Sequence, residues 1–250
     1  MRIITISARI YIYSLHSSTN MRRELVVAII ILLSTMVIPT PAEASNLGGE
    51  DPGVTDTVTW RVGDKWVYAG AFDPTVLVQD AGVDAVVGTI NGDATTTVDA
   101  VNEIDVEGVP TLVYETSSKA DFDKGGVALE GYTGNLFIQY QVDEVRRVSD
   151  LAKLSTDLSL NVRYVPYGIS SLTQQIADIT ISTDYDPMSE NYDFPLRIGE
   201  TWNTSYVSST AWSGASDYIT PFPQPTSGAN HTNWEITDVG KPINLSLIHI

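Results

Sequence analysis

The sequence predicts an all-β protein: a curved antiparallel sheet, half-barrel or sandwich-like, with few short helices. Three observations predict it. Outside residues 25–38, no stretch longer than about ten residues keeps the 3.6-residue apolar period of a helix. Short runs rich in Val, Ile, Thr and Tyr recur along the chain, divided by Gly, Asn and Asp. Finally, one aromatic segment occurs twice. Trp60-Arg61-Val62-Gly63-Asp64-Lys65-Trp66-Val67-Tyr68 returns, offset by 136 residues, as Leu196-Arg197-Ile198-Gly199-Glu200-Thr201-Trp202. In the first copy Val58, Trp60, Val62, Trp66 and Tyr68 share one parity, and in the second Phe194, Leu196, Ile198, Trp202 and Tyr206 do. Period two places each set on one face of a strand.

The beginning of the chain reads as a targeting segment. Arg22-Arg23 precede an apolar run of 14 residues, Leu25 to Ile38, and Ala42-Glu43-Ala44 supplies a small-x-small cleavage site. The run is short of the roughly 20 residues of a membrane-spanning helix. Residues 1–44 are therefore expected to be an upstream extension plus a secretory signal peptide, with Met21 a natural start. Membrane contact is expected only through that signal if it stays uncleaved. Residues 45–57, rich in Gly, Pro and acids, read as a flexible spacer, and residues 58–239 as one antiparallel β domain. Residues 240–250 read as a truncated end, because Leu245-Ser246-Leu247-Ile248-His249-Ile250 resembles the translation of a sequencing-adapter end.

Within the domain, Gly63-Asp64 marks a turn or bulge and Lys65–Ala71 a strand. Asp73-Pro74 can open a helical turn through Val78, with Asp73 as its cap. Val83–Ile90 reads as a strand closed by the hairpin signal Asn91-Gly92-Asp93. Ala94–Ile104 and Val109–Ser117 flank the turn Glu107-Gly108. Asp121–Gly126 reads as a polar turn, and Val127–Tyr132 with Leu136–Val142 as a hairpin about Thr133-Gly134-Asn135. Val145–Val148 leads to a turn capped by Asp150. Leu158–Tyr164 alternates cleanly, and Ile176–Tyr185 is a further strand. Asp184–Asp193 reads as an acidic loop, Trp202–Ser209 as a strand, Ser213–Ser227 as a loop or linker, and His231–Val239 as the last strand.

The chain has 31 acidic and 14 basic residues and no Cys. Residues 1–44 hold Arg2, Arg9, Arg22 and Arg23 against Glu24 and Glu43, which leaves 29 acids and 10 bases after them, a net charge of −19. Such a surface repels nucleic acid and anionic membranes and suits a salt-adapted, exported protein. Export without Cys excludes a disulfide framework and a lipid-modified Cys, so stability rests on a hydrophobic core.

Signals for chemistry are sparse. No Gly-x-Ser-x-Gly elbow, phosphate loop or zinc spacing occurs. His231, expected in a loop, is the one His between the signal and the truncated end, and a triad needs partners that nothing identifies. Carboxylate pairs are abundant, but glycosidase chemistry is assigned by distance, not spacing. The protein is therefore expected not to be an enzyme and to need no cofactor, with calcium as the one metal-site hypothesis. Asp121 and Asp123, and Asp184 and Asp186 with Glu190 and Asp193, supply oxygen ligands on expected loops. Neither set matches an EF-hand, since Lys124 interrupts the first and Pro187 the second. Asn203 and Asn230 head N-glycosylation acceptor patterns, with Asn203 facing away from the Trp202 side.

Phe194-Pro195-Leu196-Arg197-Ile198-Gly199-Glu200-Thr201-Trp202 resembles the Phe-Pro-Leu-x-Val-Gly-x-x-Trp segment of uncharacterised exported β-sheet proteins. Some of these are similar in layout to the periplasmic lipoprotein carriers, and Val145-Arg146-Arg147-Val148-Ser149-Asp150-Leu151 fits the same group. The resemblance implies a curved half-barrel over an apolar cavity and carries no catalytic residues. The function expected is that of an exported, non-catalytic protein binding an apolar small molecule in a sheet cavity lined by Trp60, Trp66, Tyr68, Trp202 and Tyr206. The alternative is a structural or adhesive module of a larger cell-surface protein, with another surface protein as partner.

Overall fold

The computed structural model describes residues 4–8, 54–55, 57–75, 79, 84–216 and 223–239. The expected signal run and the end from residue 240 lie outside them. The strands are β1 (Ile4–Ala8), β2 (Val54–Thr55), β3 (Lys65–Phe72), β4 (Ala85–Val86), β5 (Ile90–Val106), β6 (Val109–Leu129), β7 (Tyr132–Arg147), β8 (Lys153–Pro166), β9 (Gln174–Ser189), β10 (Leu196–Arg197), β11 (Thr201–Ser216) and β12 (Thr226–Val239). One ten-stranded antiparallel sheet runs β1-β12-β11-β9-β8-β7-β6-β5-β3, with β4 on β6. The sheet is open, with β3 and β1 at the two ends of its path. Strands β2 and β10 form a separate two-stranded ladder. The protein is thus mostly antiparallel β-sheet, as the periodicity predicts.

Long strands joined by tight turns follow from the sequence. Glu107-Gly108 and Glu130-Gly131 have positive φ at both positions, the backbone that two-residue hairpins require. Asp150 Oδ1 accepts the Ala152 amide at 3.1 Å, and the Leu151 amide closes on Arg147 O at 2.9 Å, so Asp150 caps its turn as expected. Asp73 likewise caps: its Oδ1 accepts the Thr75 amide at 2.9 Å, and Thr75 is helical.

Several expected turns are strand. Asn91-Gly92-Asp93 is no hairpin; β5 runs through it, paired with β3 from Lys65↔Thr97 to Phe72↔Ile90. Gly92 is there because a Cβ would lie 2.1 Å from the Phe122 ring. Asp121–Gly126 is not a turn but part of β6, its irregularity reduced to a bulge between Gly125 and Val127. The hairpin placed about Thr133-Gly134-Asn135 turns instead at Glu130-Gly131, and Gly134 sits in β7 under the Tyr164 ring, 2.8 Å from where its Cβ would be. The Asp184–Asp193 loop begins only after Ser189, and β11 extends to Ser216. In each case pairing with a long neighbouring strand outweighs the local turn signal, because every added pair satisfies backbone groups that would otherwise need water.

Side-chain alternation gives the sheet an inner face where the core lies. Ala94, Ala120, Tyr140, Leu160 and Ile179 stand side by side across five strands, all buried. A neighbouring row is Val142, Leu158, Ile181 and Trp212. Each fully buried aliphatic of this kind contributes about 1.5–3 kcal/mol. Two strand positions farther on, the row becomes Thr116, Glu144, Thr156, Thr183 and Thr210. The inner face therefore passes from apolar to polar along its strands.

Candidate functional site

The polar end of the inner face is where the unusual chemistry lies. Glu144 and Arg146 continue the inward parity of Leu136, Ile138, Tyr140 and Val142 on β7. Across the β6–β7 ladder Arg146 stands opposite Tyr114, and across the β7–β8 ladder it stands opposite Lys153. Glu144 Oε2 accepts from Arg146 Nη2 at 2.6 Å and Nε at 3.1 Å, while its Oε1 takes Lys153 Nζ at 2.6 Å. Glu144 and Arg146 are buried, and the Lys153 side chain is 23% exposed. Two cations thus share one carboxylate in the interior.

The electrostatics follow from this arrangement. Burial alone would push the Glu144 carboxyl up, but the Arg146 and Lys153 charges outweigh it and hold it down at about 2. Burial drives the Lys153 ammonium down, with Arg146 adding to it and Glu144 opposing. Arg147, next along the strand but facing the other way, pairs with Asp150 and reaches Glu190 at 2.7 Å.

Aromatic side chains gather in two clusters, one of which reaches this site through Tyr114, the residue opposite Arg146. Trp60 packs on Tyr114 (ring centroids 5.1 Å apart) and Trp66 (5.4 Å), and its amide donates to the Tyr114 hydroxyl at 3.1 Å. Trp202 stacks on Trp234 at 6.0 Å, and Tyr206 meets Tyr185 edge-on at 5.5 Å. Tyr192 and Phe194, between β9 and β10, pack against both the Trp60–Val98 cluster and the Leu196–Ile236 cluster. Among the described residues, five polar atoms on inner-face aromatics are buried without a hydrogen-bond partner: the indole nitrogens of Trp60, Trp202 and Trp234 and the hydroxyls of Tyr68 and Tyr140. Burial pushes both hydroxyls up to about 12, with Tyr192 adding to the shift at Tyr68.

The two aromatic segments share one hydrogen-bonded device. Gly63 N donates to Val98 O at 2.8 Å and Val98 N to Asp64 O at 3.0 Å; Gly199 N donates to Ile236 O at 2.7 Å and Ile236 N to Glu200 O at 3.0 Å. The Asp64 and Glu200 carboxylates accept the Arg61 and Arg197 amides at 2.7 and 3.1 Å. Trp60 and Leu196 occupy matching buried positions beside Val98 and Ile236. One part of the parity reading fails: Val62 and Ile198 are 61% and 54% exposed, because each sits in the turn before its glycine, where strand alternation does not apply.

The other expected site residues are dispersed. Trp60 is buried, while Trp66, Tyr68, Trp202 and Tyr206 are partly exposed. Asp121 and Asp123 lie on β6 and Asp184 and Asp186 on β9, strands rather than loops, all exposed; Asp121 accepts a Gln139 amide at 2.7 Å. Glu190 is engaged by Arg147. Among the described residues no three His, Cys, Asp or Glu side chains form a metal-holding group. Asn203 is exposed on β11. Asn230 Nδ2 donates to Ser208 Oγ at 2.8 Å across the β11–β12 ladder. His231 is on β12, not in a loop, with Nδ1 2.8 Å from Ser205 Oγ.

On the opposite, solvent-facing side of the sheet, the described residues form shallow concavities. One of about 250 Å³ is bordered by Lys119, Asp121, Gln139, Gln141, Asn161 and Asp178. Another, about 170 Å³, is bordered by Asp99, Glu115, Asp143 and Asp157 among others. Neither is lined by the five aromatics expected to enclose a cavity; Trp60 packs on Trp66 and Tyr114, Tyr206 on Tyr185 and Trp202 on Trp234.

Glu144, Arg146, Lys153, Tyr114, Tyr192 and Trp234 were not among the expected site residues. The signal for the first two was present, since charges on the same parity as an apolar strand face mark buried charge. Compared with known proteins, the chain matches no family model, no curated protein and no solved structure.

Proposed function

We propose that this chain is an exported, non-catalytic binding protein, secreted or displayed at the cell surface, that seats an apolar ligand at the aromatic rim of its inner face. The observation that carries this reading is the set of orphaned polar atoms on Trp60, Trp202, Trp234 and Tyr68. Indole and phenol groups are usually buried with a partner for the polar tip. Each such group left unpaired costs about 1–3 kcal/mol, and a ligand carrying acceptor atoms recovers that cost. Trp66, Tyr68, Trp202 and Tyr206 stay partly exposed, so the seat is approached from solvent and is a rim rather than an enclosed cavity.

The half-barrel reading belongs with this proposal. Val98 on β5 and Ile236 on β12 are six ladder steps apart, about 29 Å in a flat sheet at the usual strand spacing. Tyr192 and Phe194 nevertheless pack against the clusters of both, and β2 pairs with β10. A curled sheet accommodates these contacts and a flat one does not, and curling brings the two aromatic segments to one rim.

The test is titration of the domain with N-phenyl-1-naphthylamine, an uncharged apolar fluorophore. Saturable binding at about one site per chain, weakened by Trp202→Ala, is the expected result. Fluorescence that rises without saturation, or is indifferent to Trp202→Ala, refutes the reading.

A further inference from the structure

We infer that the ligand of this rim is a monoanionic amphiphile, a long-chain carboxylate in chemical class, whose head sits at Arg146 and Lys153 on the side of the orphaned Trp60 indole nitrogen. The inference rests on the binding function proposed above and names its substrate class. Charge balance is the first support. Arg146 and Lys153 face each other directly across the β7–β8 ladder, an arrangement of like charges that is unfavourable by itself. Glu144 is bonded to both, so the cluster holds one unit of positive charge in excess inside a protein whose net charge is −17. The two cations share a single carboxylate, and one further carboxylate makes the cluster neutral.

The second support is independent of charge. Trp60 is only 4% exposed and its Nε1 has no acceptor among the described residues. Its ring lies on Tyr114, the residue opposite Arg146 in the β6–β7 register. The Trp202 and Trp234 nitrogens are orphaned in the same way among the described residues, and Tyr192 packs both against the Trp60–Val98 cluster and, like Trp202, against the Leu196–Ile236 cluster. Indole N–H groups only donate, so cations and indoles ask for the same thing, an acceptor-rich anion. The partly exposed rings of Trp66, Trp202 and Tyr206 supply the apolar surface for its chain.

The experiment is calorimetric titration of the intact domain at pH 7.5 with dodecanoate, dodecanol, dodecyl phosphate and acetate, repeated with Lys153→Gln and Lys153→Arg. A charge-assisted hydrogen bond strengthens binding by about 1.5–3 kcal/mol, on the order of tenfold or more. Dodecanoate should therefore bind at least about tenfold more tightly than dodecanol, with acetate undetectable. Lys153→Gln should abolish that preference while dodecanol still binds, and Lys153→Arg should keep it. Equal affinity for acid and alcohol overturns the inference and leaves the binding reading standing. Tighter binding of dodecyl phosphate than dodecanoate overturns the assignment of a carboxylate, and acetate binding as tightly as dodecanoate overturns the amphiphile. No binding of any chain overturns both readings.

Discussion

Gly199 and Ile236 are joined as Gly63 and Val98 are: in each pair the glycine amide donates to the carbonyl of a fully buried β-branched residue on the neighbouring strand, at 2.7 and 2.8 Å. Both glycines have positive φ, +81° and +91°, and a Cβ at either would meet nothing within 4 Å. The cost of a side chain there is purely conformational. Gly63→Ala and Gly199→Ala should each lose about 1–2 kcal/mol, and Asn at either position should lose less. Urea denaturation of the four variants checks this, and near-equal losses for the two alanines would establish that the two turns are energetically equivalent.

Gly92 makes the opposite case. Its backbone is ordinary strand, but a Cβ would overlap the Phe122 ring. Gly92→Ala should therefore cost about 1–3 kcal/mol through overpacking. Combining it with Phe122→Leu should recover part of the loss, which a double-mutant cycle by chemical denaturation measures.

Glu144 sets an acid limit on stability. Its carboxyl is held at about 2 in the folded protein against an ordinary value of 4.5. A depressed carboxyl stabilises fully above its unfolded value and loses that contribution as pH falls through its folded value. The protein should thus lose on the order of 3 kcal/mol between about pH 4.5 and pH 2 from this group. Glu144→Gln should be destabilised by about 3–5 kcal/mol at neutral pH, because two cations then stay in the interior unpaired. It should also show a flatter melting temperature between pH 5 and 2, followed by circular dichroism.

Trp60 and Trp202, two of the five aromatics expected to line a cavity, should differ in weight. Trp60 is fully packed and Trp202 is partly exposed. Trp60→Ala should lose about 3–5 kcal/mol, as a core aromatic does, and Trp202→Ala roughly half of that. Equal losses would show that the rim is as tightly packed as the core and has no room for a ligand.

The antiparallel all-β class, most of the strands and the repeated turn were legible in the sequence, because each rests on local chemistry. Alternation in Leu158–Tyr164 depends on neighbours two residues away, and the Glu107-Gly108 turn on which residues tolerate positive φ. The repeat at Gly63 and Gly199 was legible because the same turn needs the same residue types twice. Where strand signals overrule turn signals depends on packing between distant parts of the chain. Asn91-Gly92 has hairpin chemistry, but Gly92 serves the Phe122 ring contributed by the next strand, which no local window contains. Tertiary structure also decided that the expected acidic ligands stay apart on β6 and β9, since strand pairing spreads carboxylates that the sequence sets close together. The charged cluster lay between these limits. The parity of Glu144 and Arg146 announced buried charge on β7, but Lys153, Tyr114 and Trp60 reach it through the β7–β8 ladder, the β6–β7 ladder and a ring contact. Those long-range pairings depend on the register of the whole sheet, which no stretch of sequence specifies alone.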